Sequence, residues 1–402
     1  MSTNRSGCKA IIIGAGIGGL SAAATLRRVG VDVEVYERAS ELRAAGSALA
    51  FPINARIALR TVGIDLDVER GGRVYHVLDF LTKRGRRIRR IPFGHLGDRL
   101  GAQNVAIHRA DLQAALLDQL DGTPIRLGAL ATKFTVDNAG VWVGFADGHE
   151  ARGDVLIGAD GFNSVIRRQL VGPETPREPG YVCWLATLPF RHPTVTPGYC
   201  AHYWGRGQRF GLVDIGGGRI YWWGTKNMPA QRARDWAGGK GDIIRAYAGW
   251  APEVRAAIAA TPAESIISVP AQDRPFLESW GRGPVTLLGD AAHPMLPSLA
   301  QGAAQAVEDA VVLAHHLADA SDVDGALRGY ESERALRARL MVDGSFALSK
   351  VEQLDHPISS LLRNLYIRFV PRKVIDERNA GAMTFQPVKT RTSTGIRRAD
   401  AA

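Results

Sequence analysis

Cysteine is scarce here: Cys8, Cys183 and Cys200 are the only three in 402 residues, and none stands in a CxxC pair. Such spacing offers no disulfide framework and no thiolate metal site, and no metal ligands are assigned. Long hydrophobic runs are missing too, since no apolar stretch approaches the roughly 20 residues that span a bilayer. The opening MSTNRSGCKAIIIGAG lacks a signal-peptide pattern, because its apolar stretch runs directly into a glycine loop. A cytoplasmic, reduced protein without a membrane span is expected. No internal repeat is visible. Negative charge is outnumbered, with 40 Asp and Glu against 50 Lys and Arg for a formal net charge of +10. Yet the basic residues are dispersed apart from KRGRRIRR at 83–90, and no recognition motif accompanies them. A nucleic-acid partner is therefore not expected. Attraction of an anionic cofactor or an acidic substrate explains the surplus equally well.

What is present is a chain long enough for a large core, 46% hydrophobic, in two domains or one interleaved one. KAIIIGAGIGGLSAAATLRRVGVDVEVYERA opens with a short apolar strand, followed by Gly14, Gly16 and Gly19 in GxGxxG register. A helical pattern runs from Leu20 to Val29, Gly30 stops it, and VDVEVYE reads as a second strand. The first glycine permits a tight turn, the second lets backbone reach a pyrophosphate, and the third lets helix and strand pack closely. The helix N-terminus then offers free N–H groups and a positive dipole end. Glu37 ends the second strand, where a carboxylate can accept hydrogen bonds from a ribose diol. NAD, NADP and FAD all use this motif. Arg38 suits either a 2′-phosphate or a solvated surface charge.

Two later segments repeat the strand–glycine–helix order. GDVLIGADGFNSVIRR, from Gly153, presents Asp160-Gly161 between a strand and a helix, and VTLLGDAAHPMLPSLAQGAA presents Gly289-Asp290 after a strand and before a helix starting near Gly302. Together with the opening fold, these resemble the single-component flavoprotein aromatic hydroxylases, the family of p-hydroxybenzoate hydroxylase. The resemblance covers roughly residues 8–350 and implies FAD, with NADH or NADPH as a transient co-substrate. It further implies that Gly14, Gly16 and Gly19 serve the ADP part, Glu37 and Arg38 the adenosine ribose, and Arg109 and Asp160 the pyrophosphate. By the same resemblance Asp290 accepts from a ribityl hydroxyl, and Pro294 and Pro297 shape the loop against the isoalloxazine ring. Gly302 would begin the helix whose Ala303 and Ala304 N–H groups face flavin N1 and O2. The family's commonest loop is GQGxN. This chain has Ala300-Gln301-Gly302-Ala303-Ala304, as do salicylate- and 6-hydroxynicotinate-hydroxylase-like members.

The expected fold is α/β: a Rossmann-like FAD-binding domain with an interleaved antiparallel β-sheet substrate domain and a C-terminal helical segment. The FAD-binding domain is assigned to 1–75, 101–178 and 269–350, and the substrate domain to 76–100 and 179–268. A helical segment is expected over 351–385, where the apolar, basic-flanked stretch SSLLRNLYIRFVPRK is read as packing against the FAD domain, with membrane contact as the alternative, and a disordered tail over 386–402. The runs YVCWLATLPF, GYCAHYWGRG, QRFGLVDIGGG and RIYWWGTKNMP read as strands of a sheet roofing the flavin. Alternation places Tyr221 and Trp223 on one face and Trp222 on the other. Arg209 and Tyr221 match substrate-facing positions of urate-hydroxylase-like members, while a structural sheet-edge role stays open for Arg209. His202 reads as an ordinary strand residue, and His293, Glu308 and Asp309 as structural.

The implied reaction is hydroxylation of an aromatic or heteroaromatic small molecule by O2 through a C4a-hydroperoxyflavin. No obligatory protein acid or base follows from it, so no catalytic side chain is named. Epoxidation of an alkene, as in zeaxanthin-epoxidase-like members, is the alternative, with a non-catalytic FAD-binding protein behind it. The chain is expected to be a monomer or homodimer.

Overall fold

The computed structural model describes residues 7–42, 47–120, 122–318 and 320–385; the tail expected over 386–402 lies outside them. A five-stranded parallel sheet organises the first half of the molecule. Its order is Val285–Leu287, Val155–Gly158, Lys9–Ile13, Asp32–Tyr36 and Ile125–Arg126. Ala10 to Ile13 and Val155 to Ile157 are buried on both faces, which is why they read as unbroken apolar runs.

Helix Ile17–Arg28 covers this sheet and packs against helix Gly302–Ala318 through small residues. At Gly18 an added Cβ would come within 2.9 Å of Leu288 and 3.2 Å of Ala306. Thr25 Oγ1 donates across the seam to the Ala310 carbonyl at 3.0 Å. A bulkier pair of helices could not meet so closely.

Three strands that are neighbours in this sheet, 285–287, 155–158 and 9–13, all run parallel, so their C-terminal ends lie on one edge. Gly14, Asp160 and Asp290 follow those ends directly. Segments separated by more than a hundred residues thus converge where open α/β sheets bind ligands.

A seven-stranded sheet forms the second layer, in the order Ile267–Pro270, Tyr181–Pro189, Arg219–Asn227, Gln208–Asp214, Cys200–Trp204, Val77–Thr82 and Arg87–Pro92. Its pairings are antiparallel except between Cys200–Trp204 and Val77–Thr82. Segment 76–100 therefore supplies two of its strands. One face packs Val182, Trp184, Phe210, Leu212 and Trp222 against Tyr247, Trp250 and Val254 of the helical region after it. The other face looks into the cleft toward the parallel sheet.

The C-terminal helices Val323–Glu352, Pro357–Phe369 and Arg372–Met383 complete the described chain. The expectation that this segment packs against the FAD domain is corrected for helix 357–369, which lies beside strand Arg87–Pro92 of the seven-stranded sheet with its apolar side turned outward. Only Ser360 and Arg363 of that helix are buried, and its leucines face outward. The polar side is the one held: Arg363 donates to the carbonyls of Glu352 (2.9 Å) and Gly205 (2.8 Å) and lies over the Trp204 ring.

Candidate active site

The glycine loop is built as a phosphate cradle. Gly14 has φ of +107°, and a Cβ there would overlap the Ala159 carbonyl. A Cβ on Gly19 would overlap the Gly14 carbonyl, so the third glycine is what allows helix 17–28 to start against the strand. At Gly16 an added Cβ meets nothing within 4 Å. That space is open to a ligand.

Glu37 Oε2 accepts from the Ala15 N–H (2.8 Å) and Oε1 from the Ala39 N–H (2.9 Å), which fixes the carboxylate beside the loop. Both oxygens retain a lone pair for a hydroxyl. Asp160 accepts from the Val165 N–H through Oδ2 at 2.7 Å, but its buried Oδ1 has no partner. Burial raises its pKa, while the Ser164 and backbone hydrogen bonds pull the other way. A buried carboxylate oxygen without a donor is costly, and it marks a place where a ligand completes the structure.

The Gly289-Asp290-Ala291 turn is a 3-10 turn after strand 285–287. Buried Arg167 secures it, donating to the carbonyls of Ala291 (3.1 Å) and Ala292 (2.7 Å) while Glu174 holds its other side. Asp290 faces the cleft. Loss of bulk water around it raises its pKa, partly offset by the charges of His293 and Arg109 and reinforced by Asp309.

Beneath this turn lies a buried charge cluster. Arg334 donates to Asp309 Oδ1 (2.7 Å), Glu308 Oε2 (2.7 Å) and Gln305 Oε1 (2.7 Å), and Arg337 adds a second fork to Glu308. Asp309 Oδ2 accepts from the Gly289 N–H (3.0 Å) and contacts His293 Nε2 (2.6 Å). Asn54 Nδ2 bridges Glu308 (2.7 Å) and Gln301 (3.0 Å). The cluster thereby ties the aspartate turn to the 300–304 loop. There Ala300 has φ of +52°, the only non-glycine residue in the left-handed region among the described residues. Helix 302–318 takes its first ladder bond at Gln305 N–H to Gln301 C=O (2.8 Å), leaving earlier N–H groups outside the ladder.

The glycine loop, Glu37, Asp160, the aspartate turn and the start of helix 302–318 open on a cavity of about 860 Å³. Gly14, Gly16, Glu37, Arg38, Arg109, Asp160, Asp290, Pro297, Gly302 and Ala303 line it, as do Arg209, Tyr221 and Trp223. Three assigned residues do not, and of these Pro294 is buried in the loop behind Met295. Gly19 is buried in the helix–strand contact, and Ala304 is fully buried behind the first turn of its helix. Gly19 contributes the close helix–strand approach, and the Ala304 side chain packs in the core.

The roof follows strict alternation. Cys200, His202 and Trp204 on one strand, and Tyr221, Trp223 and Thr225 on another, line the cavity, while Ala201, Tyr203 and Trp222 are in the opposite core. Trp222 donates to Thr261 Oγ1 (2.9 Å) and stacks on Phe210. Gly211 pairs with Trp223 across the ladder, and a Cβ there would overlap the indole. The missing side chain lets the ring lie across the neighbouring strand.

His202, read from the sequence as an ordinary strand residue, lines this cavity edge-on to Trp223 at 4.8 Å, with Nδ1 buried and unpartnered. Burial, with help from the Arg209 charge, pushes its pKa down to about 3, so the imidazole is neutral at physiological pH. Its phase with Tyr221 was the available signal. Arg209 is buried and ion-paired with buried Glu352, and its Nη2 lies 3.5 Å from Ser298 Oγ. Burial would lower the guanidinium pKa, but Glu352 raises it. No sequence pattern flags Glu352, which arrives from the end of a helix 143 residues away.

A family described as FAD binding domain matches residues 7–345. The chain is 34% identical over 384 residues to aurachin C monooxygenase/isomerase of Stigmatella aurantiaca, covering 96% of this chain and all of that protein. It is 35% identical to the FAD-dependent urate hydroxylase of Klebsiella pneumoniae, over 83% of this chain and 88% of that one. Klebsiella pneumoniae HpxO, solved with FAD and uric acid, superposes with a TM-score of 0.87 at 30% identity, over 95% of this chain and 98% of that chain.

Proposed function

The chain belongs to the FAD binding domain family and is an FAD-dependent monooxygenase, and on that premise we propose that it uses NADH or NADPH and O2 to hydroxylate a planar aromatic or heteroaromatic small molecule. One observation carries this reading: a dinucleotide groove and an aromatic roof share a single continuous cavity. FAD, when bound, would supply the electrons, taken from NAD(P)H, that activate O2, and one atom of that O2 is what is transferred.

The protein's own residues fit that cofactor. Gly16 leaves room for the pyrophosphate and the N-terminus of helix 17–28 offers N–H groups to it. Glu37 would hold the adenosine ribose, Arg109 the phosphate charge, and Asp290 a ribityl hydroxyl. The unpartnered Asp160 Oδ1 would accept a hydrogen bond there. The Gly302 and Ala303 end of a 17-residue helix favours negative charge, which a reduced flavin ring carries.

Tyr221 and Trp223 would cover a flat substrate and keep water away, while neutral His202 and the Arg209–Glu352 pair set its orientation by hydrogen bonding. Three polar groups in one roof favour a ring bearing donors and acceptors over an isolated alkene. The urate hydroxylase relatives support the same choice.

Purified protein is expected to be yellow and to release FAD on denaturation; FMN, or a nicotinamide dinucleotide without flavin, would overturn the assignment. Tyr221→Phe removes one polar contact worth roughly 1–3 kcal/mol. Catalytic efficiency should fall about 5- to 150-fold, with more hydrogen peroxide released per NAD(P)H oxidised. Trp222→Phe should leave that coupling at the wild-type level while costing about 1 kcal/mol of stability through the lost Thr261 bond. Equal uncoupling by both would show that the roof is not the substrate surface.

A further inference from the structure

We infer that helix Pro357–Phe369 is a docking surface for anionic lipid membranes, seating the apolar end of the cavity beside the bilayer. The idea stands on surface chemistry and is independent of the reaction assigned above.

Ile358, Leu361, Leu362, Leu365, Tyr366 and Phe369 recur at spacings of three and one, so they form one stripe along the helix. Each is between 41% and 70% exposed. A contiguous stripe of this size has a partner, because isolated exposed leucines are common but six aligned ones are not. Helices with one strongly apolar and one basic side lie in the interfacial plane of membranes.

The charge around the stripe selects the partner. Of the basic residues over 357–373, Arg363 is buried and Arg372 and Lys373 pair with Asp376 and Glu377, which leaves Arg368 to join the rim. Arg89 of the adjoining edge strand Arg87–Pro92 donates to the Arg368 carbonyl at 2.8 Å, which brings the arginine-rich 83–90 segment alongside. A second copy docking symmetrically would bring these like charges together. The chain's own residues 386–402 are a poor cover as well, with only Val388 and Ile396 as large aliphatics and four basic residues among them. Anionic lipid satisfies both the stripe and its rim.

Position gives the surface a purpose. Ile367 from this helix and Ile375 and Met383 from the next line the active-site cavity, on the side where Leu78, Phe80 and Phe93 make it apolar. Ile367 lies on the side of the helix opposite the stripe, so docking would place this apolar wall of the cavity beside the bilayer with the helix between them.

The test is flotation of the FAD-loaded protein with vesicles of phosphatidylcholine alone or enriched in phosphatidylglycerol. Binding to the anionic vesicles, weakened by salt, is expected. The combined substitution Leu362→Ser, Leu365→Ser and Phe369→Ser, all at exposed positions, should lower partitioning at least about tenfold with flavin content unchanged. Arg368→Glu with Arg372→Glu should do likewise. Failure to bind anionic vesicles, or binding indifferent to both variants, would overturn the proposal. So would vesicle-independent self-association abolished by the serine variant, which would identify the stripe as an interface between copies.

Discussion

Arg334→Leu is expected to destabilise the protein by about 3–5 kcal/mol, because it removes the counter-charge that two fully buried carboxylates, Glu308 and Asp309, share. Arg337 keeps its fork to Glu308, but Asp309 is left with His293 and the Gly289 N–H alone. The damage should reach the cofactor, since Asp309 also holds the Gly289 N–H and thus the turn that presents Asp290. Denaturant unfolding of wild type and variant measures the loss, and flavin fluorescence measures its spread. Arg339→Leu, breaking an exposed pair with Glu278, is the control and should cost under about 1 kcal/mol. A comparable cost for both would show that the cluster carries no special weight.

The same cluster predicts an acid limit. Burial would raise the Asp309 pKa, but His293 and Arg334 hold it at about 2, below its ordinary value. A depressed carboxylate stabilises the fold above its unfolded pKa. Its contribution is therefore complete above about pH 4 and is lost as pH falls toward 2.

Asp290→Ala is the second large effect. A charge-assisted hydrogen bond to a ribityl hydroxyl is worth about 1.5–3 kcal/mol, so FAD affinity should drop roughly 10- to 150-fold. The Asp290 side chain lines the cleft and takes no part in the buried cluster, so apo-protein stability should change little. Unchanged affinity in a fluorescence titration would remove Asp290 from the cofactor site.

The sequence made the glycine loop, both aspartate turns and the two sides of strand 219–227 legible, each for a local reason. Glycines at Gly14 and Gly19 report close backbone approach, and period-two alternation assigns Tyr221 and Trp222 to opposite faces. What stayed hidden depends on contacts distant along the chain. Glu352 meets Arg209 only because helix 323–352 ends beneath the roof. Gly211 looks like any strand glycine until Trp223 is laid over it. Helix 357–369 shows why amphipathicity alone misleads: its pattern fixes which residues share a side, while the Arg363 hydrogen bonds decide which side the protein keeps.

Incubation with NAD(P)H, a planar heteroaromatic substrate and isotopically labelled dioxygen tests the central claim most directly. The predicted result is substrate-stimulated NAD(P)H oxidation with a single labelled oxygen atom in the product. Product oxygen drawn from water, or oxidation whose dioxygen is all recovered as hydrogen peroxide with every substrate that binds, would contradict it.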